Sequence, residues 1–157
     1  MRNCTGDDKR RRLLLGGAGA MMALSTSQSR GSEVLTEIVQ PANPGRTAFM
    51  ARAVEMRRRA VAAGDQAYGA VIVKSGRIVG EGVSAVLTRR DPTAHAEVEA
   101  IRDAARRLGT NDLSGCEMYG TSKACPMCET AAYWARLARL HYGESLTDGR
   151  APRYGGC

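Results

Sequence analysis

Two short stretches of this 157-residue chain carry side chains that could do chemistry together. One is "KACPMCETAAYW", residues 123–134, with cysteines at 125 and 128. A Cys-x-x-Cys pair can be a redox dithiol, half of a structural zinc knot or part of a catalytic metal site, and its neighbours do not choose among these. The other is "DPTAHAEVEAI", residues 91–101, which holds His95, one of two histidines, and Glu97 two positions on. One His and two Cys make three zinc ligands, and a catalytic zinc keeps its fourth position for water, whose pKa it lowers towards neutrality. A carboxylate beside such a centre that does not ligate can carry protons, and Glu97 has that type and place.

Both groups are expected at helix starts. Asp91 or Thr93 can cap a helix over residues 94–108, with Pro92 in its first turn and Gly109 at its stop. Val98, Ile101, Ala105 and Leu108 give that helix a buried side. His95 and Glu97 then fall in the first turn, where two side chains can reach one site beyond the terminus. Pro126 opens a helix over 126–137, so Cys125 and Cys128 share that setting. Helix N-termini favour negative charge, which suits thiolates.

Upstream, "TAFMARAVEMRRRAVAAG" reads as a helix with Met50, Ala53, Val54, Ala60 and Val61 on its apolar side, ending at Gly64. "GAVIVKSGRIVGEGV" reads as a hairpin, with strands over 70–73 and 77–80 around a Ser75-Gly76 turn. "CEMYGT" and "RLHYG" read as two more strands. The order α-β-β-α-β-α-β implies an α/β domain, one sheet with helices on both faces in three layers.

The totals, 43% hydrophobic and 25% charged residues, fit one globular domain with a real core. The formal charge of +7 is uneven: residues 1–30 hold six Lys/Arg against Asp7 and Asp8, which leaves 17 basic and 14 acidic groups, or +3, on the rest. A nucleic-acid binder keeps its positive charge on the folded part, so nucleic acid is not the expected partner. The runs Arg57–Arg59 and Arg106-Arg107 read as solvated helix faces. Cys4 and Cys157 sit at the ends, and five cysteines so placed make no disulfide scaffold. Cys116 reads as a buried strand residue and His141 as structural.

The start, "DDKRRRLLLGGAGAMMALSTSQSRG", runs a basic cluster into twelve apolar or small residues, 13–24. That is the layout of an export signal, too short to span a bilayer. Arg10-Arg11-Arg12-Leu13-Leu14 resembles the twin-arginine type. The expected plan is a twin-arginine-type signal peptide over 1–30, a linker over 31–46 and a folded domain over 47–157. An exported, periplasmic protein with no stable membrane span after processing is expected, or a cytoplasmic one if the signal does not function. The twin-arginine route carries folded proteins, so a metal could be loaded before the thiols meet an oxidising compartment.

His-x-Glu followed thirty residues later by Cys-x-x-Cys matches the zinc deaminase signature. With "DPTAHAEV", "CPMC" and Ala132-Tyr133-Trp134-Ala135-Arg136, the chain resembles the cytidine/deoxycytidylate deaminase superfamily over residues 47–143. Within it, the chain looks most like the bacterial guanine deaminases and their nucleoside-deaminase relatives. The resemblance implies a cytidine-deaminase-like α/β/α fold with a central mixed sheet. It implies one Zn2+ per chain on His95, Cys125 and Cys128, with Glu97 as proton shuttle. It also implies hydrolytic deamination of a small nucleobase-like ring, with guanine leading. Deamination of cytidine or adenosine in nucleosides or RNA, and a catalytically lapsed zinc-binding module, are the alternatives. Ser84, Trp134 and Asp148 are the substrate contacts it carries over, although Trp134 reads first as a core residue.

Four departures from the family pattern matter. Lys123-Ala124 stand where the family has Glu-Pro, which puts a positive charge near the metal. Ser84 stands in place of a substrate-holding asparagine, and Glu129 in place of an apolar residue. The family's last strand and helix have no counterpart here, so the domain is expected to be C-terminally short. An exposed last strand would favour a homodimer.

Overall fold

The computed structural model describes residues 35–143 and 150–154, so the expected signal peptide and Asp148 lie outside the described residues. Helix α1 (Arg46–Ala62) leads to strands β1 (Gly69–Lys74) and β2 (Arg77–Val83). Then follow α2 (Ala96–Leu108), β3 (Cys116–Gly120), α3 (Pro126–Trp134) and β4 (Arg139–Tyr142), in the expected order. The sheet runs β2-β1-β3-β4. Strand β1 is antiparallel to both neighbours while β3 and β4 are parallel, so the sheet is mixed.

Local chemistry explains the connections. Ser75 and Gly76 both take positive φ, 49° and 76°, which the twist of a two-residue hairpin requires. Parallel strands need a crossover, and α3 supplies it between β3 and β4. Cys125 and Cys128 therefore sit just past the C-terminal end of β3, where open α/β sheets place their ligands.

Side-chain alternation along β1 makes the three layers. Val71 and Val73 pack with Phe49, Met50, Ala53 and Met56 of α1 and with Tyr119. Ala70 and Ile72 face the other way, onto Ala96, Ala100 and Ala104 of α2, Ala132 of α3, Met118 and Leu140. One expectation needs correction: Phe49 and Met56, not Val54 and Val61, lead the buried side of α1, and Val61 is 56% exposed. Positions 49, 53, 56 and 60 follow the helical repeat, and the larger side chains take the core.

Helix α2 meets β2 along a seam of small residues. A Cβ added at Gly80 would lie 2.6 Å from the Ala100 carbonyl oxygen, and one at Gly82 would overlap the Ala96 carbonyl. Only hydrogen fits at those two positions, so "GEG" at 80–82 sets how closely the first turn of α2 approaches the sheet. The Glu81 N–H donates to Asp103 Oδ2 at 2.9 Å and ties the same helix down.

Residues 35–45, within the expected linker, form no helix or strand but dock on the free edge of β2. Gln40 Nε2 donates to the Ile78 carbonyl at 2.8 Å, and its Oε1 accepts from the Ile78 N–H at 2.9 Å. Ile38 is buried beside them. At the opposite edge, the Leu140 N–H donates to the Arg150 carbonyl. Cys116 is fully buried, and burial pushes its thiol pKa up, as suits a core residue. His141 is buried and stacks on Tyr119 with ring centroids 4.5 Å apart. Among the described residues no helix is long and apolar enough to cross a membrane.

Candidate active site

His95 and Cys125 are N-cap residues of α2 and α3, both in extended backbone with ψ of 148° and 168°. An N-cap side chain usually folds back onto the free N–H groups of its helix. Neither does so here, and imidazole and thiol turn towards each other instead. The expected cap at Asp91 or Thr93 is therefore corrected. Asp91 Oδ1 accepts from the Thr93 N–H at 2.8 Å and from its hydroxyl at 2.7 Å, closing a turn upstream of the helix. Pro92 lies outside α2, and Glu97 is its second residue. Helix α3 ends at Trp134 rather than 137, because Arg136 takes a left-handed φ of 63°.

Three donor atoms converge. His95 Nδ1 lies 3.7 Å from Cys125 Sγ and 3.5 Å from Cys128 Sγ, and the two sulfurs are 3.5 Å apart. Tetrahedral zinc, with bonds of about 2.3 Å to sulfur and about 2.0–2.1 Å to nitrogen, needs separations of roughly 3.8 and 3.6 Å. The three residues thus fit zinc by donor type and by spacing, as the only such cluster among the described residues. Both cysteines are free thiols, and a plain dithiol would leave His95 and Glu97 without a role.

Glu97 sits behind the cluster, 6% exposed, with Oε2 at 3.6 Å from Cys128 Sγ. Burial raises its pKa against the pull of its own N–H, the Cys128 thiol and His95. Burial likewise pushes the Cys128 thiol up, with the Glu97 charge adding to the effect, so metal uptake must displace its proton. A cleft of about 600 Å³, bordered by Gln66, Tyr68, His95, Glu97, Ser122, Lys123 and Cys125, leads from solvent to these groups. That volume lies within the roughly 300–1,000 Å³ of small-molecule sites.

The approach to His95 is clamped by a residue that the sequence did not single out. Asp65 Oδ2 accepts from the N–H groups of Leu87 and Thr88 at 2.9 and 2.8 Å, and Oδ1 accepts from the Val86 N–H at 3.1 Å. From the other side Arg89 donates to Glu99 Oε2 at 2.6 Å. Together they hold the loop that enters α2. An aspartate after a helix-ending glycine looks like any turn residue, so only its partners reveal the role.

The family model for the cytidine and deoxycytidylate deaminase zinc-binding region matches residues 45–144. The chain belongs to this family. Guanine deaminase of Bacillus subtilis (strain 168) is 48% identical over 101 residues, covering 64% of this chain and 65% of that protein. The tRNA-specific adenosine deaminase of Aquifex aeolicus is 41% identical over 96 residues, covering 61% and 64%. The X-ray structure of guanine deaminase from Bacillus subtilis superposes with a TM-score of 0.61 at 46% identity, covering 63% of this chain and 64% of that one. The chain thus spans just under two thirds of these relatives' length.

The deaminase-family residues are not all gathered at the cleft. His95, Glu97, Cys125 and Cys128 come together there. Ser84 does not border the cleft: it is buried, and its hydroxyl donates to Asp65 Oδ1 at 2.9 Å. Trp134 lies at the far end of α3 from the cysteines and is 67% exposed, which corrects its reading as a core residue. The left-handed break at Arg136 ends the helix at Trp134, so the last residue of α3 turns to solvent rather than to the core. Trp134 packs edge-on against Tyr133 and Tyr154. Gln66, Tyr68 and Ser122 are cleft residues that sequence reasoning missed, since the loops before β1 and after β3 carry no periodicity to expose them.

Proposed function

We propose that the protein is a zinc-dependent hydrolytic deaminase of a nucleobase-like ring, with guanine, converted to xanthine and ammonia, the leading substrate. The observation that carries this is Glu97, a buried carboxyl that touches a cysteine of the three-donor site and opens onto the cleft. The 48% identity to a guanine deaminase supports the choice of ring. Zinc held by His95, Cys125 and Cys128 would lower the pKa of water to near neutrality and so supply the nucleophile. Glu97 takes the proton from the attacking water and delivers it to the ring nitrogen beside the amine-bearing carbon. It then serves the departing ammonia. A pKa raised by burial suits a carboxyl that must both hold and release a proton. Tyr68 borders the cleft and is the aromatic side chain available there to stack on the ring. The starts of α2 and α3 both abut the site and favour negative charge that develops there.

A deaminase acting on RNA is the second reading. The 41% identity to a tRNA-specific adenosine deaminase favours it, and the net charge of +3 outside residues 1–30 opposes it. Two further parts belong to the same proposal. The segment over 9–24 supports export to the periplasm, to be tested by fractionation. The edge position of β4, where the described residues leave only the Leu140 N–H paired to the Arg150 carbonyl, supports a homodimer, to be tested by light scattering.

The deciding experiment is ammonia release by zinc-loaded protein from guanine, cytosine, cytidine, adenosine and aminotriazines. Turnover of guanine is the expected result. Silence across the whole panel from folded, zinc-loaded protein would overturn the reading and leave a lapsed zinc-binding module.

A further inference from the structure

The wall between the cleft and a second, smaller chamber contains one charged side chain that the chemistry above does not use. Lys123 borders the cleft together with His95, Glu97 and Tyr68, and it also borders a chamber of about 30 Å³ beside Leu140 and His141. It is exposed, and among the described residues it has no ion-pair or hydrogen-bond partner. The other cation bordering that chamber, Arg150, is paired with Glu129 at 3.1 Å.

The charges at the site give this lysine a purpose. Two thiolates neutralise a bound zinc ion, and Glu97 is acidic, so the reacting end offers no net positive charge to a ligand. Lys123 is then the positive group that an approaching anion meets. An anionic group near Glu97 would be repelled. The exposed lysine attracts it instead, and a cleft of about 600 Å³ has room for a ring and a substituent.

We propose that Lys123 selects amino-heterocycles that bear an anionic oxygen group, a carboxylate or a phosphate. The proposal rests on the deaminase reading for where the ring sits, and it narrows the substrate class of that site. An ammonium is a point charge on a flexible stem and accepts either anion, so the two sources are separated by experiment.

The test is calorimetric binding to zinc-loaded protein, which needs no turnover. One arm compares pterin with pterin-6-carboxylate, which carry guanine's 2-amino-4-oxopyrimidine ring without and with a carboxylate. The other compares guanosine with guanosine 5′-monophosphate. In at least one arm the charged member should bind roughly tenfold more tightly at low salt, with the advantage shrinking as salt rises. Lys123→Gln should bring the ratio near one, and Lys123→Glu should reverse it, at unchanged zinc content. Whichever arm responds identifies the anion. Equal binding of charged and neutral members, no binding by any of them, or an unchanged ratio in Lys123→Glu would each overturn the proposal, leaving a solvated lysine. An intact ratio with no ammonia from any compound would instead sink the deaminase reading alone.

Discussion

His95 and Cys125 occupy equivalent positions on two different helices: each is an N-cap, and Nδ1 and Sγ lie 3.7 Å apart. The sheet makes that meeting possible. The glycine seam of β2 fixes the start of α2, and the parallel crossover after β3 fixes the start of α3. Neither helix end is capped by its own side chain, so the two donors remain available to a metal.

The first expectation concerns that metal. X-ray absorption at the zinc edge should report two sulfurs at about 2.3 Å and one nitrogen at about 2.0–2.1 Å, with a light atom completing four-coordination. Cys128→Ala should lower zinc affinity at least ~100-fold, read by competition with a chromogenic chelator. A wild-type first sphere of four sulfurs would contradict the assignment.

Gly82→Ala tests the seam. The new methyl overlaps the Ala96 carbonyl, so α2 must lift from the sheet. Overpacking of this kind costs about 1–3 kcal/mol, visible as a lower urea midpoint with an unchanged slope. Zinc should also bind more weakly, because His95 rides on the displaced turn. Gly45→Ala at the exposed N-cap of α1, where nothing lies within 4 Å of an added Cβ, should be far milder.

Asp65→Asn tests the loop clamp through pH. Burial pushes the Asp65 carboxyl up, but the N–H groups of Thr88 and Gln66 and the hydroxyls of Ser84 and Thr88 outweigh it and hold the pKa well below the usual range. A folded-state pKa below the unfolded value of about 3.9 stabilises the fold above that pH, and the benefit fades as pH falls through the folded value. The wild type should therefore be more stable than the variant at pH 7 and lose that lead progressively below about pH 4. Urea midpoints of both proteins across pH 3–7 check it; a constant difference would contradict it.

The fold was largely legible because its signals are local. The unbroken apolar run Ala70–Val73 marks β1, the Ser75-Gly76 pair marks the hairpin, and Gly64 and Gly109 mark helix ends, both with left-handed φ. The three-donor cluster was legible because histidine and cysteine are scarce in this chain and His95, Cys125 and Cys128 fall at helix starts. What failed were choices made by tertiary partners. Asp91 closes its own turn rather than capping α2, and a left-handed Arg136 shortens α3 and leaves Trp134 outside the core. Asp65 and Ser84 lie nineteen positions apart and are joined by one buried hydrogen bond that no periodicity announces.

The most direct test of the account compares the wild type with Glu97→Gln, both zinc-loaded, for ammonia release from guanine. A glutamine keeps the shape but cannot carry the proton, and lost general acid–base catalysis is worth about 10²–10⁴ in rate. A loss of at least ~100-fold in kcat is expected, with zinc still at one per chain. Comparable turnover by the two proteins would contradict it.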